Sequence, residues 1–503
     1  ALAPEGLVAI QETEERTADV IAFWRQISHV AIFVIRPMVG PTSSSSLEAP
    51  PREAVTVAGL PSFASALAAG HCLEPSTKSR SLLPLVRECE MALEAARTNL
   101  AEAARLDYGI THAAEWLLDN AYLIRSHIAD VRHDLPDNHN RILPVLAGDS
   151  GPVRLRVYHL AAELIRLTGH RPTQEGIVSF LNAYQTTVPL TIGELWVFPL
   201  MLRLVLLQTV RRLSEQTSLR QHQKELADFW SNRLLNAAQR GPEQFERIVS
   251  ELDRDGEELT AHFFARFGEQ LHKEESLLTP IQRWIEEKTG QPLADIVRRE
   301  HAAEANDLMW IADAIGSLRQ LSEMQYPKIV EAVSRMEAIL REDPAGIHPR
   351  SDFATRDRCR RTVEEVARQS RTSELVVAQQ VVELAREAPP GRLERCVAYH
   401  LLDEGLTELE RRVRRRIPWR ERRLRFIYRH PTLLSLGSLA ALTLAVTGGF
   451  VFAAYTAGVG TTMLLILGSL ALIPASELAT FLVQIWCTWN LPPRVLPKMS
   501  FEE

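Results

Sequence analysis

Residues 411–429 read RRVRRRIPWRERRLRFIYR, and residues 430–474 continue HPTLLSLGSLAALTLAVTGGFVFAAYTAGVGTTMLLILGSLALIP. The first piece sets ten arginines against one acid, Glu421; the second has no Asp, Glu, Lys or Arg in 45 residues. Thr432 to Tyr455 meets the length of about 20 apolar residues that a bilayer core demands. Thr461 to Trp489 supplies a second span, interrupted by Pro474 and Glu477. The link between them, Ala457-Gly458-Val459-Gly460, is too short for a domain, so the spans form a tight hairpin. Arginines before the first span, and Arg494 and Lys498 after the second, put both ends on the cytoplasmic side. Trp419, Tyr428, Trp486 and Trp489 stand where interfacial aromatic belts belong. Two buried helices of a soluble domain are the rival reading, and so long an uncharged run argues against it.

The chain of 503 residues has room for two to four domains. Its composition, 46% apolar and 24% charged, is that of a globular protein. The net charge of −6 hides an asymmetry: segment 411–429 holds +9, so the remainder holds −15. An acidic body beside a basic collar suits an anionic cytoplasmic leaflet, and anionic lipid held by Arg411, Arg412, Arg414, Arg415 and Arg416 is the expected partner. The same acidity excludes nucleic acid as the main partner. Cys72, Cys89, Cys359, Cys396 and Cys487 show no CxxC or zinc-ligand spacing and read as free thiols in a reducing compartment. No cleavable signal peptide opens the chain. Val20 to Val39 is apolar but interrupted by Arg25 and Arg36, and reads as a buried or interfacial helix, with a third span as the lesser reading.

Residues 1–80 are a poorly defined segment with a Ser/Pro linker at Thr42–Ser46 and Pro50-Pro51. From 81 to 410 a helical cytoplasmic domain is expected. Leu82, Val86, Cys89, Leu93, Ala96, Leu100 and Ala103 step by four and three along one helix. Thr111 is a good N-cap for a helix over 113–131. Helices follow at about 154–167, 174–187, 191–216 and 220–238. The third of these opens with a capping box, Thr191 and Glu194, and its apolar run Leu195–Leu213 belongs at the centre of a bundle. The pattern continues through 243–251, 256–272, 275–287, 293–321 and 326–341, then 354–370, 373–387 and 391–416. With strand patterns nearly absent, the fold class is all-α: a multi-helix bundle, an Arg-rich collar at 411–430, a two-helix transmembrane hairpin at 431–490 and a linker from 491 to 503.

Candidate chemistry is sparse. Gly148-Asp149-Ser150-Gly151-Pro152 has the letters of a serine-protease nucleophile loop, but that chemistry needs a β-barrel frame and a positioned His–Asp pair, so a turn is favoured. His133, Asp134, Asp137 and His139 could ligate a metal only with distant partners, and a solvated loop is favoured. Asp253 and Asp255 form an Asp-x-Asp pair at a helix boundary, where acids favour the dipole. Gln282-Arg283-Trp284 has the wrong spacing for the acceptor motif of processive glycosyltransferases. Glu477 within a span is either functional or lies near the interface. No catalytic, cofactor-binding or metal residue is assigned.

Six stretches together resemble the N-terminal region of bacterial cyclic β-1,2-glucan synthases. They are AEWLLDNAYLI at 114–124, VYHLAAELI at 157–165, AYQTTVPLTIGELWVFPLMLRL at 183–204, VRREHAAEANDL at 297–308, DPAGIHPRSDFATRDRCR at 343–360 and LPPRVLPKMSF at 491–501. They fall in the expected order over roughly 82–503, and the PLTIGELW block is the most specific. Cys359 stands where the family is expected to prefer an aromatic residue. The resemblance implies a very large bacterial inner-membrane enzyme that uses UDP-glucose and a divalent metal, primes on a protein tyrosine and closes a β-1,2-glucan into a ring. It implies a glycosyltransferase domain following the first hairpin, about where this chain stops at Glu503, so the catalytic aspartates and donor pocket fall outside it. The expected role is scaffold and membrane anchor, with that downstream domain as partner. A stand-alone membrane-tethered adaptor is the alternative, and a helical metal hydrolase using the 133–139 loop trails both.

Overall fold

A computed structural model describes residues 55–74, 81–106, 108–135, 143–148, 153–254, 259–272, 275–490 and 498–499. Among these the structure is all-α, with three isolated β-bridges and no longer strand. Contacts divide the chain into two compact units with the boundary between Ser334 and Arg335, inside the stretch 81–410.

The first unit opens with α1 (Leu60–Gly70), a regular helix within the poorly defined segment 1–80; Leu60, Ala64 and Ala68 are its buried stripe. In α2 (Leu83–Arg105) the apolar seam is buried as its spacing predicts, from Val86 to Ala103. The helix expected over 113–131 is two, α3 (His112–Asp119) and α4 (Ala121–Asp134), parted where Asn120 leaves helical geometry. Thr111 caps the first by accepting the Ala114 N–H. Next come α5 (Arg156–Leu167) and α6 (Gln174–Tyr184).

The centre of the unit is α7 (Ile192–Arg240), 49 residues long. The sequence suggests two helices here because residues 214–223 are polar. Three of these polar residues instead find partners within the protein. The Thr217 hydroxyl donates to the Leu213 carbonyl (2.8 Å), Arg220 pairs with Asp307 (2.9 Å) and Gln223 accepts from the Thr260 N–H (3.1 Å). The helix ends at Gly241, whose φ of 129° a side chain would not tolerate. Its N-terminal half is apolar enough for a membrane, yet 72% of that window is buried in protein, so it is core. The unit closes with α8 (Pro242–Arg254), α9 (Ala261–Leu271), α10 (Glu275–Thr289), α11 (Leu293–Glu323) and α12 (Tyr326–Val333).

One buried ion pair organises the PLTIGELW block. Glu194 accepts two hydrogen bonds from the Arg156 guanidinium (2.7 and 2.5 Å), and its carboxylate also accepts the Thr191 N–H (2.9 Å) to complete the capping box. Both side chains are almost fully buried. A buried pair tolerates loss of one partner poorly, because the remaining charge is stranded.

The second unit begins with α13 (Arg335–Leu340), α14 (Phe353–Ser370), α15 (Glu374–Glu387), α16 (Val397–Leu402) and α17 (Leu406–Arg412). The single helix expected over 391–416 is thus two short ones, parted at Asp403, which is extended. Glu337 is fully buried against His348 (3.3 Å), Arg360 (3.1 Å) and Arg341 (3.1 Å). Burial pushes the Glu337 carboxyl up, but the hydrogen bond from His348 and the charges and hydrogen bonds around it prevail and hold it below the usual range. Asp343 accepts from the backbone N–H groups of Ile347 (2.8 Å), His348 (2.9 Å) and Val397 (3.0 Å), which fixes the loop that the DPAGIHPR letters encode.

Then follow α18 (Trp419–Arg429), α19 (Pro431–Thr456) and α20 (Thr461–Asn490). The last two pack against each other as an antiparallel pair, turning through Gly458 at φ 83°. Gly468 lets them approach, since a Cβ there would stand 3.1 Å from the Val451 side chain. Both are long and apolar enough to cross a membrane, with mean hydropathy 1.8 over their best windows. After α20 the chain returns to the helical body of this unit: Ser351 and Met499 form an antiparallel bridge.

Candidate functional site at the arginine collar

Residues 405–430 combine strong charge with direct continuity to the apolar helices. Here α17 ends in a left-handed turn: Arg414 has φ 54°, and the Arg415 N–H returns to the Glu410 carbonyl (2.9 Å). That turn sends successive arginines in different directions. The Arg415 side chain is only 2% exposed and lies among carboxylates: Glu410, Glu421 (2.7 Å) and Glu365 (3.6 Å), with the Gln369 amide at 2.8 Å. Arg425 reaches back from α18 to Glu410 (2.5 Å) and also pairs with Glu421 (2.5 Å) one turn earlier on α18. Burial pushes the Glu410 carboxyl up, and the hydrogen bonds and charge of Arg425, with Arg415, outweigh that and hold it down.

This revises the sequence reading of the collar. Arg415, one of five arginines expected to meet lipid, is an intramolecular anchor instead. Arg411 pairs with Glu408, and Arg412 with Glu387 (2.7 Å). Arg414 and Arg416 are exposed and, among the described residues, make no ion pair. The split is set by Glu410 and Glu421, which take up Arg415, and by Glu408 and Glu387, which pair with Arg411 and Arg412; no spacing in the sequence shows which arginine turns inward.

The other candidates resolve separately. His133 and Asp134 are exposed at the end of α4, while Asp137 and His139 lie outside the described residues. Of the Gly148–Pro152 stretch, only Gly148 is described. Asp253 pairs with Lys288 (3.0 Å), and Asp255 lies outside the described residues. Within Gln282-Arg283-Trp284, Trp284 packs on Phe264 and Phe267 (ring centroids 5.8 and 6.0 Å apart) at the edge of the core, while Arg283 is exposed. Val20–Val39 and residues 491–497 and 500–503 lie outside the described residues. No three His, Cys, Asp or Glu side chains among the described residues come together to hold a metal ion. The metal implied by the resemblance therefore finds no fit in these residues, and no catalytic step is assigned to them.

Glu477 is exposed on the outer side of the helix pair, near the middle of α20. At 1.5 Å per residue it stands about 20 Å from the nearer end, which favours the depth reading over an interfacial one. Thr480, Gln484 and Thr488 follow at helical spacing and are also exposed, so α20 carries a polar stripe.

The geometry defines an all-α protein whose second unit ends on a pair of membrane-length helices and then returns to its own body. No family model matches the chain. It is 31% identical over 310 residues to the cyclic beta-(1,2)-glucan synthase NdvB of Rhizobium meliloti (strain 1021). The match covers 60% of this chain and 11% of that protein, so the chain spans about a tenth of the length of this relative. That match bears out the resemblance to bacterial cyclic β-1,2-glucan synthases over the part of the chain it covers.

Proposed function

We propose that the chain is the N-terminal helical and membrane-hairpin module of a cyclic β-1,2-glucan synthase-like glycosyltransferase of the bacterial inner membrane. Its role is scaffold and anchor: the body holds a downstream glycosyltransferase domain against the membrane. UDP-glucose and a divalent metal belong to that domain. The similarity over 310 residues carries the proposal. The collar and the return of residues 498–499 to the body support a cytoplasmic location for the helical units, with α19 and α20 as two crossings. Anionic lipid is the partner of the collar, now through its outward arginines.

The test is glucosyl transfer. Residues 1–503, purified alone, are expected to transfer no labelled glucose from UDP-glucose. The longer protein should transfer it and should lose that activity when 1–503 are deleted. Transfer by 1–503 alone, or full activity without them, contradicts the proposal.

A further inference from the structure

Two faces of α18 differ sharply. Glu421 and Arg425 point to the Glu410–Arg415 cluster. At 100° per residue, Trp419, Arg422, Arg423, Phe426, Arg429 and His430 share the other side as one stripe about 120° wide. All six are exposed, with Trp419 at 68% and Phe426 at 55%. Within the stripe the Arg423 guanidinium lies over the Trp419 ring (5.3 Å), and Phe426 packs on His430 (5.1 Å between centroids). Among the described residues, Arg422, Arg423 and Arg429 make no ion pair. His430, with φ −126° and ψ 56°, breaks the helix before Pro431, so α18 is not an extension of α19.

We propose that this stripe is a docking face for anionic phospholipid, with arginines on headgroup phosphates and Trp419 and Phe426 at the acyl boundary. An interfacial helix requires this combination, a basic polar face with bulky aromatics. Two observations fix the occupant. The face is cationic beside a helix of membrane length that begins at the next residue. The Glu410–Arg425 and Glu421–Arg415 contacts fix the rotation of α18, holding the stripe outward. Within the collar, then, the division of labour is by face: Arg415 and Arg425 clamp, while Arg422, Arg423 and Arg429 read lipid. This rests on the membrane reading of α19 and α20 given above.

The test uses the full chain in neutral detergent, titrated with phosphatidylglycerol or phosphatidylcholine and read by native mass spectrometry. The unmodified chain should prefer phosphatidylglycerol by at least about tenfold at low salt, given the attraction of each arginine near an anionic surface. R422Q/R423Q/R429Q should remove most of the preference, R422K/R423K/R429K should keep most of it, and R411Q/R412Q should leave it intact. An unchanged preference in the glutamine triple variant, or its loss in R411Q/R412Q instead, overturns the assignment. Should the triple variant fail to fold, the three single glutamine variants decide: each lowers the preference, and no change in any of them overturns it. Alkaline carbonate extraction of membranes separates the two readings. Release of the chain overturns the hairpin itself; retention with unchanged lipid preference overturns only the α18 face.

Discussion

Lys498 and Thr355 are hydrogen-bonded across 143 residues of sequence: the Lys498 N–H donates to the Thr355 hydroxyl at 3.0 Å. The adjacent Asp352 N–H donates to the Lys498 carbonyl at 3.0 Å. Both apolar helices lie between these partners in the chain. Thr355 is on the helical body and Lys498 follows the second apolar helix, so the polypeptide leaves and re-enters on one side. If a membrane holds α19 and α20, it is crossed an even number of times.

Ser351 and Met499 give a direct check on that return. They face one another in an antiparallel bridge, where Cα atoms stand about 4.5–5.5 Å apart and suit a disulfide. S351C/M499C, with Cys72 and Cys487 replaced by serine, should cross-link rapidly on mild oxidation in intact membranes. Moving one cysteine to Thr461, at the far end of the pair, should abolish the product.

Glu410 should be the least replaceable acid of the collar. It accepts hydrogen bonds from Arg415 and from both terminal nitrogens of Arg425 while nearly buried. Glu410→Gln leaves those cations short of a countercharge and should cost about 3 kcal/mol. Thermal denaturation in detergent should show it, and hydrogen exchange should speed up along residues 406–429. Equal stability of E410Q and the unmodified chain contradicts the clamp.

His170 supplies a pH dependence. It is buried in a left-handed turn (φ 66°) against Trp310, and burial, with help from Arg212 and against Asp313, lowers it from 6.5 to about 4. The unfolded chain takes up the proton first, so this residue's contribution is complete above pH 6.5 and declines as pH falls towards 4. Denaturant midpoints between pH 7 and 5 should fall, and H170N, whose side chain tolerates this turn, should flatten the slope. An unchanged slope in H170N assigns the dependence elsewhere.

Periodicity made most helices legible, because the buried seam of α2 and the capping box of α7 are local patterns. The joining of two expected helices into α7 has its origin in polar residues whose partners are distant in sequence, whereas the breaks at Asn120 and Asp403 are local departures from helical geometry. Ser214 to Gln223 looked like a break because Asp307 and Thr260, their partners, are far along the chain. Arg156 meets Glu194 38 residues away, which no spacing rule reveals. In the collar, charge density was visible but direction was not. Whether an arginine faces inward depends on the left-handed turn at Arg414, a residue type that seldom adopts it.

Membrane topology tests the central claim most directly. In intact cells, green fluorescent protein fused after Glu503 should fluoresce, and alkaline phosphatase inserted at Gly458 should be active. Swapping the two reporters should silence both. Activity of one reporter at both positions would place the turn and the C-terminal end on the same side, and the hairpin would be wrong.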